Sequence, residues 1–101
     1  MSGEHRILAE EPSEPSLDRL RERIDLLDEA LVRLLNERAR LASAIGRTKR
    51  ESGMPIHSPS REDAVLDHVT RLASGPLSPG GIERVFRAVI AETRLAEENG
   101  A

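Results

Sequence analysis

The sequence predicts an all-α fold, with one long helix followed by two shorter ones. About half of the 101 residues are Ala, Glu, Lys, Leu or Arg, which is the composition of long helices. Apolar residues recur at helical spacing in three stretches, and no stretch alternates between apolar and polar residues as a half-buried strand does. Glycine and proline separate the three stretches, at Gly53 and Pro55 and again at Gly75 and Pro76.

The long helix is predicted to begin after Ser16, a favourable N-cap, and to end at Gly53. Between Ser16 and Ile45 there is neither glycine nor proline. Its apolar positions are separated alternately by three and four residues, so they form a coiled-coil seam that one arginine interrupts and a threonine closes. These positions are Leu17, Leu20, Ile24, Leu27, Leu31, Leu34, Arg38, Leu41, Ile45 and Thr48. A helix of about 35 residues is roughly 50 Å long. Because the short remainder of the chain cannot cover such a seam, the sequence predicts an obligate oligomer.

Each of the two shorter helices is predicted to begin at a serine that is followed by proline. Ser58 and Ser78 are the N-caps, and a proline costs nothing in the first turn because its missing N–H would be unbonded there anyway. The apolar face of the second helix consists of Val65, Leu66, Val69, Leu72 and Ala73. The apolar face of the third helix, which is predicted to reach about Glu98, consists of Ile82, Val85, Phe86, Val89 and Ile90.

Residues 1–15 are acidic, contain two prolines and are predicted to form a disordered tail, which leaves residues 16–101 as the folded domain. The start of the chain has no apolar run long enough for a signal peptide, and no segment approaches the length of a membrane span. Cysteine is absent as well. We therefore expect a cytoplasmic protein without a role at a membrane.

The composition argues against several classes of function. A net charge of −3 and a single aromatic residue, Phe86, argue against binding of nucleic acids. The absence of cysteine excludes a disulfide scaffold, a zinc site built on cysteine and thiol chemistry. The three histidines, His5, His57 and His68, are far apart in sequence and suggest no metal site.

Two basic residues of the long helix stand out. Arg38 interrupts the seam, where a buried guanidinium without an anionic partner would be very costly. Lys49, the only lysine, follows about three helical turns later and so points the same way. Taken alone, Arg38 is equally compatible with an internal ion pair or a device that fixes coiled-coil register, and Lys49 with an ordinary exposed residue.

Arg21 lies near the start of the same helix, roughly 25 Å from Arg38, and faces about 100° away from it. Two groups so far apart in one chain cannot bind one small ligand. An antiparallel second copy, however, would bring the start of its long helix beside the middle of this one. Taken alone, Arg21 is an exposed residue on the flank of the seam.

Four further residues complete the candidate site. Glu62 suits the first turn of the second helix, whereas the helix dipole disfavours Arg61 there and makes it the more suggestive of the two. Thr93 and Glu97 continue the apolar line of the third helix beyond Ile90, at spacings of three and four, although a fraying helix end would explain them as well. All these residues together predict a pocket in a helical dimer that is rich in cations, contains one or two carboxyl groups and takes a small polyanion.

In three stretches the chain resembles the all-helical class of chorismate mutases: LRERIDLLDEALVRLLNERARLASAIGRTK, PSRE and GPLSPGGIERVF. The resemblance covers about residues 17–98, and its motifs are L-R-x-x-I-D-x-L-D, E-R, I-G-x-x-K and R-E at the spacing of the family. It implies that two three-helix chains interlock as a homodimer. Each of the two pockets would lie largely within one chain and take one arginine from the long helix of the other.

The resemblance also implies roles for the basic residues and for Glu62. Arg38, together with Arg21 of the other chain, would bind the two carboxylates of the substrate. Lys49 would contact a carboxylate and the ether oxygen of the breaking bond. Glu62 would accept a hydrogen bond from the ring hydroxyl, with Arg61 beside it.

Three more positions correspond to binding positions of the family. Thr93 matches a position near a carboxylate that often holds serine. Glu97 matches a position that holds glutamine or glutamate and faces the ether oxygen. Ser58 is a departure, since some members have aspartate there. Because that position can serve through its backbone N–H, the departure affects substrate detail more than activity.

The implied reaction is the isomerisation of chorismate, a small dianion, to prephenate, a step of the shikimate pathway toward phenylalanine and tyrosine. The reaction needs no cofactor and no metal, because one C–O bond breaks as one C–C bond forms within a single molecule. The residues leave open a larger synthase as an activating partner, and feedback control by phenylalanine or tyrosine.

Other functions are compatible with the same sequence. An isochorismate-pyruvate lyase or a 4-amino-4-deoxychorismate mutase would use a similar cationic pocket, although Arg61 and Glu62 together favour the ring hydroxyl of chorismate. A module for dimerisation or effector binding would retain the fold without catalysis. A helix-turn-helix within LASAIGRTKRESGMPI is disfavoured by the net negative charge.

Overall fold

The computed structural model describes residues 15–99 and is helical, without strands, over that range. Helix α1 spans Leu17–Ser52, α2 spans Pro59–Arg71 and α3 spans Pro79–Asn99. The predicted all-α class, with one long helix and two shorter ones, is therefore confirmed. Of the predicted disordered tail, all residues except Pro15 lie outside the described part of the chain.

The chain divides into two compact units, with the division inside α1 between Arg33 and Leu34. In the first unit, residues 15–33 contain only the start of α1, and its apolar side chains are exposed: Leu27, for example, is 63% exposed. The second unit contains the remainder of α1 together with α2 and α3. Within residues 15–33, no second element of the first unit therefore packs on the predicted seam.

Helices α2 and α3 begin as their serine–proline pairs predict. The hydroxyl of Ser58 accepts a hydrogen bond from the backbone N–H of Arg61 at 3.3 Å. The hydroxyl of Ser78 accepts one from the backbone N–H of Gly81 at 3.0 Å. Each serine therefore satisfies one of the N–H groups that the first turn of a helix leaves without a partner.

Helix α1 ends where glycine permits a reversal of the chain. Gly53 has φ +71°, in the left-handed region that glycine adopts more easily than other residues. The N–H of Met54 then donates to the carbonyl oxygen of Lys49 at 2.8 Å, which closes the end of the helix. The turn directs the chain toward α2 and leaves Lys49 in the last turn of α1.

The end of α3 is joined to the end of α1 by Arg50. Its guanidinium donates to the carbonyl oxygens of Glu97 at 3.3 Å and of Glu98 at 3.1 Å. The last turn of a helix leaves such carbonyls without partners, so Arg50 caps α3 from a neighbouring helix. Among the helices of residues 15–99, none is long and apolar enough to cross a membrane.

Candidate active site

A pocket of about 260 Å³ lies between the second half of α1 and the helices α2 and α3. Seven of the eight residues singled out in the sequence line it: Arg38, Lys49, Ser58, Arg61, Glu62, Thr93 and Glu97. Arg21, the eighth, belongs to the first unit and does not line the pocket. The apolar part of the wall comes from Leu41, Ala42, Ile45, Val65 and Ile90.

Arg38 is held by Thr93, which lies 55 residues further along the chain. One N–H of the guanidinium donates to the threonine hydroxyl. The hydroxyl has a single proton, which is directed to the carbonyl oxygen of Val89 at 2.8 Å. Thr93 is only 5% exposed, so it is not part of a fraying helix end. In this structure Thr93 orients Arg38, and its hydroxyl has no second proton for a ligand.

Lys49 and Glu97 form an ion pair inside the pocket. The ammonium nitrogen lies 3.5 Å from Oε2 of Glu97, and both side chains are mostly buried, with 19% and 17% of their surface exposed. The same ammonium donates to the carbonyl oxygen of Ile56 at 2.8 Å. Lys49 is therefore not an ordinary exposed residue. Two of its three N–H donors are directed at protein groups, and the third is available to a ligand.

Gly46 brings α1 and α3 close together at this ion pair. It is buried, and a Cβ atom added to it would overlap the carbonyl oxygen of Glu97 and lie 2.9 Å from the carbonyl carbon. Any side chain at position 46 would therefore push the two helix backbones apart. The sequence places Gly46 in the I-G-x-x-K motif but does not predict this contact, because the packing partner lies 51 residues away.

Glu62 is bound on one side of its carboxylate by two residues from outside α2. Arg94 donates to Oε2 at 3.2 Å, and Nε2 of His57 lies 3.2 Å from the same oxygen. Arg94 and His57 also contact each other at 2.9 Å. The sequence interpretation missed Arg94, although Ile90, Arg94 and Glu97 share one helix face at spacings of four and three.

At the start of α2, Ser58 and Arg61 have different functions. The hydroxyl of Ser58 caps the helix, so this residue has a structural role in addition to lining the pocket. Arg61 lines the pocket and is an exposed residue. Within residues 15–99 it forms no ion pair with a carboxylate.

The charges of the pocket do not balance. Four basic side chains, Arg38, Lys49, Arg61 and Arg94, face two acidic ones. Each carboxylate has one basic pocket residue as its partner, because Glu97 pairs with Lys49 and Glu62 with Arg94. In the described part of the chain, Arg38 and Arg61 have no carboxylate partner. Nor do these residues include a group of three His, Asp or Glu side chains that could hold a metal ion. The arrangement can bind a small molecule with two negative charges.

The chain matches a protein-family model. The family model described as chorismate mutase type II matches residues 20–98, which include all the helices except the first residues of α1 and the last residue of α3. The pocket and Arg21 lie within the matched range.

Several curated proteins are similar in sequence. A bifunctional chorismate mutase/prephenate dehydratase from Aquifex aeolicus is 38% identical over 79 residues, which are 74% of this chain and 22% of that protein. A protein of the same name from Neisseria gonorrhoeae is 42% identical over 77 residues, 76% of this chain and 21% of that protein. The T-protein of Haemophilus influenzae is 38% identical over 86 residues, 83% of this chain and 22% of that protein. The chain thus spans less than a quarter of the length of these relatives.

A solved structure shares the fold over nearly its full length. The chorismate mutase of Thermus thermophilus superposes with a TM-score of 0.79 and is 33% identical in sequence. The match covers 81% of this chain and 93% of that one.

Proposed function

Since this chain belongs to the chorismate mutase type II family, we propose that it rearranges chorismate to prephenate. The observation that carries the proposal is the charge of the pocket. Once each pocket carboxylate has its basic partner, the guanidiniums of Arg38 and Arg61 are left for a ligand. Chorismate has two carboxylates, and guanidinium–carboxylate pairs are among the strongest hydrogen-bonded contacts in proteins.

The reaction takes place within one molecule. The ether C–O bond breaks while a C–C bond forms between the enol-pyruvyl side chain and the ring, so no atom enters or leaves. The flexible side chain must first be folded over the ring. Binding both carboxylates to fixed cations supplies that restraint, which in favourable cases lowers a barrier by about 7–11 kcal/mol. Arg38 is suited to this role because Thr93 holds its guanidinium in place.

The second requirement is to stabilise the negative charge that develops on the ether oxygen. Lys49 is suited to it, because it lines the cavity and its contacts with Ile56 and Glu97 fix the position of its ammonium group. Glu97 lines the cavity beside this ammonium. The ether oxygen has no proton to give, so Glu97 contributes a hydrogen bond only when it is protonated.

Glu62 and Arg61 are the proposed contacts of the ring. The carboxylate of Glu62 is an acceptor and matches a hydroxyl donor on the substrate. The match is compatible with the ring hydroxyl of chorismate, and the assays with the three compounds described below discriminate between the mutase, the lyase and the mutase for 4-amino-4-deoxychorismate.

We further propose that the active form is a homodimer. Its support is the apolar seam of residues 17–33, where Leu17 and Leu31 are 60% and 55% exposed. Such a face in water is unfavourable unless another surface covers it. An antiparallel second copy would cover it and would bring its Arg21 to the pocket beside Arg38. Sedimentation at micromolar concentration tests this proposal. A folded, helical monomer would contradict it, because folding and association are coupled in such dimers.

A larger synthase remains a proposed activating partner. Two of the relatives named above, those from Aquifex aeolicus and Neisseria gonorrhoeae, are bifunctional chorismate mutase/prephenate dehydratases, which supports association of this domain with other enzymes. We also propose a cytoplasmic location, as expected from the sequence.

The proposed activity is tested by incubating the purified chain separately with chorismate, isochorismate and 4-amino-4-deoxychorismate. We expect prephenate from chorismate and little turnover of the other two compounds. Pyruvate release from isochorismate would favour the lyase, and binding of chorismate without turnover would favour an effector-binding module.

A matched pair of variants connects the activity to the pocket. Arg38→Gln removes a proposed carboxylate contact and should lower kcat/KM at least about tenfold, the usual value of a hydrogen bond to a charged group. Arg40→Gln removes the same charge from an exposed position outside this pocket and should have little effect. Equal activities of the two variants would contradict the assignment of the site.

A further inference from the structure

Arg94 holds Glu62 by one of its two carboxylate oxygens. Arg94 and His57 both contact Oε2, at 3.2 Å each. Among residues 15–99, no group contacts Oε1 through a hydrogen bond or an ion pair. Glu62 is therefore fixed on one side, and its second oxygen is available to a ligand in the pocket.

Arg94 also balances the charge of Glu62. The Glu62 side chain is 28% exposed and that of Arg94 is 35% exposed, so the pair is partly shielded from water. Arg61 lies one residue before Glu62 and adds a second cation at the pocket wall. His57 contacts the same carboxylate from outside α2. A ligand that brings an additional positive charge to this place would therefore be repelled by these cations.

We propose that Arg94 is a positioning residue through which the site selects a hydroxyl over an ammonium group on the substrate ring. With Arg94 present, Oε1 of Glu62 accepts a hydrogen bond from a neutral donor, and the carboxylate has no excess charge to attract a cation. Without Arg94, the carboxylate is uncompensated and favours an ammonium group. The inference rests on the proposed function, because it assigns Glu62 to the ring substituent of the substrate.

The experiment compares chorismate with 4-amino-4-deoxychorismate, which has an ammonium group in place of the ring hydroxyl. For each variant the readout is kcat/KM for the amino compound divided by kcat/KM for chorismate. Arg94→Gln should raise this ratio on the order of tenfold, the effect of a unit charge removed at roughly 6 Å in a medium between protein surface and water. Arg94→Lys keeps the charge and should leave the ratio near that of the wild type.

Two more variants separate charge selection from damage to the fold. Arg87→Gln removes a cation from the exposed side of α3, where Arg87 pairs with Glu83, and should not change the ratio. Glu62→Gln leaves Arg94 uncompensated and should lower the ratio, in the direction opposite to Arg94→Gln. This opposite shift keeps the inference testable even if Arg94→Gln folds poorly, which circular dichroism would show.

Failure of the inference differs from failure of the proposed function. If the wild type converts chorismate but neither Arg94→Gln nor Glu62→Gln shifts the ratio, Arg94 has no part in selection and the inference is wrong. If the wild type converts neither compound, the proposed function is wrong. In that case the ratio is taken from the affinities for the two compounds, measured by calorimetry. The inference then requires that Arg94→Gln raises the affinity for the amino compound relative to chorismate and that Glu62→Gln lowers it.

Discussion

Replacing Gly46 by alanine tests whether the close contact between α1 and α3 forms the active site. Alanine normally stabilises a helix interior by about 1 kcal/mol relative to glycine. At position 46 the added methyl group would overlap the carbonyl of Glu97, which belongs to a helix backbone and cannot rotate away as a side chain can. Overpacking of this kind costs about 1–3 kcal/mol, because the helices must separate by roughly an ångström. After subtraction of the gain in helix propensity, we expect Gly46→Ala to lower the free energy of unfolding by up to about 2 kcal/mol.

The same substitution should affect activity more than stability. Glu97 and its partner Lys49 lie on the two helices that the methyl group separates. A displacement of about an ångström at reacting groups typically reduces the rate a hundredfold. The expected result is therefore a loss of about a hundredfold in kcat/KM, from a protein that is still folded at room temperature.

Gly80→Ala is the matched control. Gly80 lies in the first turn of α3, where a Cβ atom would meet only the flexible side chains of Arg84 at 3.6 Å and Ser78 at 4.0 Å. This variant should be as stable as the wild type or slightly more so, with unchanged kcat/KM. Urea unfolding followed by circular dichroism, at one protein concentration for all variants, measures the stability. Should Gly46→Ala equal Gly80→Ala in both stability and activity, the two helices do not approach as described.

Three further predictions concern the polar residues of the pocket. Arg21→Ala and Arg38→Ala should each be nearly inactive, whereas refolding the two variants together should restore activity. The reason is that a heterodimer can assemble one pocket with both arginines. Verified heterodimers without activity would exclude a role of Arg21 in the pocket of the second chain. Glu97→Ala should lower kcat/KM roughly a hundredfold, because a donor to the ether oxygen is lost, whereas Glu97→Gln should retain most of it, since an amide can donate. Equal losses in the two variants would show that Glu97 is not the donor. Thr93→Val keeps the side-chain volume but removes the acceptor for Arg38, so it should lower kcat/KM about tenfold in steady-state kinetics. Thr93→Ser keeps the hydroxyl and should retain most of the wild-type kcat/KM.

The helices and most of the pocket could be predicted from the sequence, because both depend on local spacing. Ser58 and Ser78 cap their helices as expected. Thr93 was selected because a polar residue interrupts an apolar face, and this face is the one that packs toward the pocket. Spacing within one helix is sufficient for such a prediction, since the period of the helix fixes which residues share a face.

The contacts that depend on distant segments were not predicted. Gly46 matters because of a carbonyl group on another helix, and a glycine by itself does not indicate what it packs against. Arg94 has the helical spacing of a pocket residue, but its partner Glu62 lies 32 residues away. The sequence around Arg94 therefore did not distinguish a position in the pocket from one on the surface. The hydrogen bond from Arg38 to Thr93 was not predicted either, because the two residues lie 55 positions apart in the sequence.

The cap that Arg50 forms on α3 has an electrostatic consequence for the binding of anions. The carboxyl end of a helix carries a partial negative charge of about half an electron, and the end of α3 lies at a pocket suited to a dianion. Arg50 places a full positive charge on two of its last carbonyls from outside the pocket. The amino end of α2, with the opposite partial charge, faces the pocket at Ser58. The capped end of α3 therefore repels a bound dianion less than an uncapped end would, and the amino end of α2 attracts it over a range of about one helical turn.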